Sequence, residues 1–224
     1  MDEQLPATLL EASIWTGKLF SGEWRASIRE ANITEPATGG SLGSIGMADA
    51  GLIGEAAALA RQAQVPWAAQ HHEELAAIIR RAARLAEHYF DEIVGWFNRK
   101  SGSTQAKAAF EASVSGRVLH EYTGLPSRSI GEVLPSVPGR LSLARRRPLG
   151  VVGVISPFNF PLCLAMRAVA PALALGNAVV LKPDPSTSVC GGFVIARLFE
   201  LSGLPAGVLH VLPGARWERR RGGI

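Results

Sequence analysis

The sequence predicts an α/β protein in which a helix-rich N-terminal region precedes an incomplete doubly wound parallel sheet. Three observations support this. The runs Val151–Ile155, Ala178–Leu181 and Val208–Leu212 are almost wholly apolar and rich in β-branched residues, as strands covered on both faces of a parallel sheet are. They begin 27 and 30 residues apart, which leaves room for a crossover helix between neighbours. Gly is abundant (24 residues) and aromatics make up only 7%, which suits close helix–sheet packing better than a β-sandwich. With 224 residues, 47% of them hydrophobic, the chain is long enough to bury a sizeable core.

The elements follow in order. Ile14 to Gly46 reads as short extended pieces, with Leu19–Trp24 and Pro36–Gly40 as tight turns. Ala48 to Gln64 is an Ala-rich helix with Asp49 as its N-cap. Glu73 to Phe97 places Leu75, Ile78, Ile79, Ala82, Leu85, Ala86, Tyr89 and Ile93 on one apolar face, as a single long helix would. Gly102 ends that region. Thr104 caps a third helix running to about Tyr122, with Phe110, Val114 and Val118 stacked at i, i+4. His71, His72 and His88 fall on or near polar faces and read as solvated residues rather than ligands. Gly124 to Pro148 is Pro- and Gly-rich and reads as a linker, with Arg145-Arg146-Arg147 on a solvated edge strand rather than at a phosphate. Helices over Leu162–Leu175 and Thr187–Ser202 then alternate with the three apolar strands. Gly176-Asn177 and Gly203-Leu204-Pro205 stop them.

This divides the chain into 1–123 (strands and helices), 124–149 (linker, or a strand for oligomerisation), 150–214 (the first βαβαβ half of a dinucleotide-binding sheet) and 215–224 (a basic tail). The net charge is +4, but the tail holds four Arg and one Glu. The rest is nearly neutral, so no basic stripe for nucleic acid is expected. Cys163 and Cys190 make neither a disulfide framework nor a metal pattern. The acidic start lacks the basic region of a signal peptide. The uncharged part of Pro148–Met166 is interrupted by Pro157, Asn159 and Pro161, against a membrane span. A soluble, cytoplasmic protein is expected, with no nucleic-acid or membrane partner and no metal.

Ligands of open parallel sheets bind at the carboxyl ends of the strands. That rule selects Ser156–Pro161 after the first strand and Lys182–Thr187 after the second. The first segment has no G-x-G-x-x-G, so it is not the usual pyrophosphate turn. It offers Asn159 between two prolines. The side-chain amide suits an oxyanion donor, and equally suits satisfaction of backbone groups in a tight turn. Lys182 ends a buried strand, where its ammonium reaches ribose hydroxyls or a phosphate better than it serves as a rim lysine.

Gly150–Pro161 (GVVGVISPFNFP), Ala170–Pro183 (APALALGNAVVLKP) and Gly203–Gly214 (GLPAGVLHVLPG), with the early turn Pro36–Gly43, resemble the aldehyde dehydrogenase superfamily from about Trp15 to Gly214. The benzaldehyde, or aromatic aldehyde, type is the most similar. The resemblance implies a Rossmann-like sheet, NAD or NADP as cofactor, a small aldehyde as substrate, and homo-oligomers among full-length relatives. It implies that Asn159 polarises the aldehyde carbonyl. Ile155, Ser156, Pro157 and Phe158 would line the nicotinamide-ribose end of the cleft, and Lys182 would bond the adenosine ribose. Many NAD-preferring members carry glutamate where this chain has Pro185, which leaves NAD against NADP open. The family's attacking cysteine and water-activating glutamate belong after Gly214, whereas Cys163 and Cys190 read as small core residues. A fragment truncated before those groups and inactive alone is therefore expected. The alternative is a non-catalytic fragment that binds nucleotide or pairs with another subunit. An open sheet edge is expected after Leu212, and the tail reads as out-of-frame translation.

Overall fold

The computed structural model describes residues 5–214; the basic tail, with its frameshift reading, lies outside the described residues. A short helix, α1 (Ala12–Trp15), leads into a hairpin of β1 (Lys18–Ser21) and β2 (Trp24–Ala26). Gly22 turns it at φ 77°. A side chain there would also stand 2.7 Å from the Gly207 nitrogen, so the turn requires glycine. A second hairpin pairs β3 (Glu30–Thr34) with β4 (Ser41–Gly46) around the expected Pro36–Gly40 turn.

The helices depart from expectation in three places. α2 (Ala50–Ala68) starts at its Asp49 cap, whose carboxylate accepts from the Leu52 amide at 2.9 Å, but it runs on through Pro66. The proline lies in the last turn and forgoes the bond to the Gln62 carbonyl, but Trp67 beyond it is buried with Nε1 donating to the Leu173 carbonyl at 3.1 Å. The expected single helix over Glu73–Phe97 is two, α3 (His72–His88) and α4 (Phe90–Ser101), broken at Tyr89 with φ −96° and ψ 21°. The N-terminal segment crosses at this break. Tyr89 donates to the Pro6 carbonyl at 2.6 Å, and Glu92 accepts from the Leu9 and Leu10 amides at 2.6 and 2.8 Å. α5 (Gln105–Tyr122) starts after its Thr104 cap, yet Phe110 is 56% exposed. The buried face is instead Ala108, Glu111, Ala112, Ser115, Gly116, Val118 and Leu119, mostly small residues that let α5 lie close to its neighbours. The stretch read as a linker contains a separate two-stranded sheet, β5 (Gly131–Leu134) against β6 (Ser142–Arg145).

The central sheet is built from β7 (Val151–Ile155), β8 (Ala178–Lys182) and β9 (Leu209–Val211), connected by α6 (Pro161–Ala174) and α7 (Val194–Leu201). The last connection opens with a 3-10 turn at Pro185–Thr187 and a π turn at Val189–Phe193 before α7 begins. These three strands are parallel, as expected. The strand order is β2-β1-β9-β8-β7, and this corrects one expectation. The edge after Leu212 is not open: β1 pairs antiparallel with β9, Phe20 opposite Val211 and Ser21 opposite His210. Among the described residues the sheet ends at β2 on one side and at β7 on the other, where Ile155 is 81% exposed. A smaller apolar cluster of Leu19, Ala56 and Leu212, joined by Leu52 and Val180, lies under α2. Val179, Leu181 and Val211 belong to the main core with α6 and α7. No described helix is long and apolar enough to cross a membrane.

Candidate functional site at the strand ends

The parallel ladder ends with Ile155 opposite Lys182. One further bond, from the Ser156 amide to the Lys182 carbonyl at 3.1 Å, ties the two loops together just beyond it. The two segments selected in the sequence therefore meet at one end of the sheet. Pro157, Phe158 and Asn159 are exposed there, Ser156 is buried and Lys182 is half-buried.

Asn159 makes no side-chain hydrogen bond to any described residue. Of the two readings of this amide, backbone satisfaction is thus not realised, and the group stays available to an external acceptor. Lys182 is likewise without a hydrogen bond or ion pair among the described residues. Its stem passes Gly214, where an added Cβ would lie 3.4 Å from Lys182 Cε. Gly214 itself is fixed by a bridge to Ala48, whose amide donates to the Pro213 carbonyl at 2.6 Å. Nearby, Asp184 is engaged by the Ser186 amide and hydroxyl at 2.9 and 2.6 Å. Pro185 follows it as the first residue of the 3-10 turn.

Two buried hydroxyls, Ser156 Oγ and Thr187 Oγ1, have no hydrogen-bond partner among the described residues. Leaving a buried polar group unpaired costs about 1–3 kcal/mol, so both segments carry polar capacity that the fold itself leaves unused. An ammonium, a free amide and unpaired hydroxyls at a strand end suit a ligand bearing hydroxyls, phosphates and a carbonyl.

The thiols do not join this set. Burial pushes the Cys163 thiol up, with Glu111 adding to the effect and Arg167 opposing it. Burial also pushes Cys190 up to about 12, and its thiol points at the Thr187 carbonyl, 3.5 Å away. Both remain protonated thiols, which are poor nucleophiles. Burial lowers the pKa of Lys100, beneath the same loop, against the pull of Cys190 and Asp184.

The residue that sequence reasoning missed is Glu111. Its fully buried carboxylate accepts from the Leu162 and Cys163 amides at 2.8 and 3.2 Å, immediately after the Asn159 turn. The one available signal was a glutamate lying in line with Ala108, Ala112 and Ser115 at helical spacing.

The aldehyde dehydrogenase family model matches residues 24–220. A vanillin dehydrogenase from an Amycolatopsis species is 54% identical over 208 residues, covering 92% of this chain and 43% of that protein. The NAD(+) benzaldehyde dehydrogenase of Pseudomonas putida is 48% identical over 206 residues, covering 91% of this chain and 42% of that one. An NAD-dependent benzaldehyde dehydrogenase structure from Corynebacterium glutamicum superposes with a TM-score of 0.85 at 42% identity, over 92% of this chain and 45% of the other. The chain thus spans less than half the length of these relatives. Over that span the match takes in both strand-end segments and the helices that seat them, and on this ground the chain belongs to the aldehyde dehydrogenase family.

Proposed function

We propose that this chain supplies the dinucleotide-holding and carbonyl-polarising side of a site that oxidises an aromatic aldehyde to the carboxylic acid. The observation that carries the proposal is the terminal pairing of Ile155 with Lys182, which brings an unengaged amide and an unengaged ammonium to one strand end. The named substrates of the vanillin and benzaldehyde dehydrogenases support the aromatic class. When bound, NAD or NADP supplies the hydride acceptor. Lys182 donates to ribose hydroxyls, and Ile155, Ser156, Pro157 and Phe158 line the nicotinamide-ribose end. Pro185 places no carboxylate against a 2′-phosphate, so both dinucleotides fit. Asn159 donates to the aldehyde oxygen and stabilises the negative charge that builds there during attack. Attack itself needs a thiolate, which neither Cys163 nor Cys190 provides, so the chain alone binds dinucleotide without turning over aldehyde.

Calorimetric titration with NAD(+) and NADP(+), together with absorbance at the NADH band in the presence of benzaldehyde, tests this. Binding without reduced cofactor is expected, and Lys182→Ala should weaken binding about tenfold or more, the effect of one lost charge-assisted hydrogen bond. Unchanged affinity in that variant removes Lys182 from the site, and sustained turnover by the chain alone overturns the claim of inactivity. The exposed β7 edge favours a second reading, a fragment that pairs with another subunit through an added strand. It predicts a stable complex with a full-length relative in size-exclusion chromatography.

A further inference from the structure

α6 begins without a cap of its own. Phe160 stands at its N-cap position and offers no side-chain acceptor, and Pro161 has no N–H. The next two amides, Leu162 and Cys163, are the donors that a helix start leaves unpaired. Both are taken by Glu111 Oε1, which arrives from α5, 51 and 52 residues earlier in the chain. The other carboxylate oxygen meets Lys107 Nζ at 3.1 Å. Lys107 in turn lies 4.8 Å over the Phe160 ring. A carboxylate at a helix N-terminus is also favoured by the helix dipole. Against Pro161, the first residue of α6, Gly191 of the π turn lies so near that an added Cβ would clash with Pro161 Cβ. The loop carrying Asn159 is therefore gripped at both ends. Ser156 is held to Lys182 at its start, and Leu162 and Cys163 are held to Glu111 at its finish. Between these anchors the Asn159 side chain makes no hydrogen bond to any described residue.

We propose that Glu111 is a positioning residue for Asn159: by capping α6 from outside, it sets where the Asn159 amide stands at the strand ends. Glu111 touches neither cofactor nor substrate and acts only through the turn. The catalytic value of that placement rests on the reading of Asn159 as the donor to the aldehyde oxygen, but the placement itself is measurable without any ligand.

The test is NMR of the 224-residue chain labelled with 15N-asparagine and 15N-leucine. The Asn159 side-chain pair is assigned by its loss in Asn159→Ala. In Glu111→Ala that pair should shift or broaden, and exchange of the Leu162 amide should quicken about fivefold or more, the factor expected for a lost cap. The Leu181 and Leu209 amides of β8 and β9 should keep their positions. Glu111→Gln, which retains an acceptor oxygen, should restore the Asn159 pair. Should Ala unfold the chain, Glu111→Asp draws the oxygens back by one methylene while keeping the charge, and the same comparison is made there. An Asn159 pair unmoved while Leu162 exchange quickens overturns the proposal, since the cap would then be structural only. So does a failure of Gln to restore it. A separate arm adds benzaldehyde with NAD(+) to the wild-type chain. If the Asn159 pair answers to Glu111 but ignores the aldehyde, the positioning holds and the carbonyl-polarising reading fails.

Discussion

His210 has both ring nitrogens committed inside the sheet. Nε2 lies 2.9 Å from the Gly207 carbonyl and must donate to it. Nδ1, 2.9 Å from Ser21 Oγ, then accepts from that hydroxyl. The ring is fully buried, and burial is the main reason its pKa falls below the ordinary 6.5. Above that value both folded and unfolded rings are neutral and the contribution is complete. As pH falls below it, the unfolded chain takes up the proton first, so stability drains away. Melting curves between about pH 7.5 and pH 5 should therefore show the wild type losing more stability than His210→Gln, at roughly 2–4 °C per kcal/mol for a chain of this size. Parallel curves for the two proteins would remove His210 as the cause. At this scale the sequence was informative only where a residue's task is local. Asn159 and Lys182 are singled out because one follows a strand end and the other ends a strand. Glu111 could not, because its partners lie across another helix, and His210 sat unmarked inside an apolar run.

Elements were legible where they follow one period. The three parallel strands and their crossover helices came from apolar runs and spacing alone. The break at Tyr89 did not, since the contact that accompanies it is with Pro6, 83 residues away. The face of α5 does not follow its bulky residues, because α6 packs against its small ones. The π turn before α7 also has no periodic signature. Such turns often sit beside functional sites, and here glycines let it press on both strand-end loops. A Cβ at Gly192 would lie 2.9 Å from Pro183 Cγ, beside the clash that Gly191 would make with Pro161. Gly191→Ala should accordingly cost about 1–3 kcal/mol, the usual range for overpacking a tight core. Urea unfolding checks this, with a lower midpoint and an unchanged slope expected. A midpoint within error of the wild type would mean that Pro161 yields freely.

At the scale of the whole molecule, the open flank of the sheet lies opposite to where parallel-sheet logic put it. Three apolar strands ending at Leu212 carry no local mark of the hairpin near the N-terminus that covers β9. Of the two edges, β2 is only three residues long and carries Arg25, so the greater hazard of edge pairing belongs to β7, whose terminal Ile155 is largely exposed. A charge on an edge strand discourages such pairing. Light scattering across a concentration series should therefore show Ile155→Lys associating less than the wild type; equal association would place self-contact elsewhere. The clasp of β1 on β9 has a different consequence, one of timing. Ser21 and His210 are 189 residues apart in sequence, so their seam closes nearly the entire chain into one loop. The entropy of that closure grows only slowly with length, but the contact cannot exist until β9 has been made. During synthesis β1 therefore has no partner on that side until nearly the whole chain has been made, and an isolated two-stranded hairpin is at best marginally stable. The first part of the sheet to be translated is thus one that cannot be completed until the last strand is made.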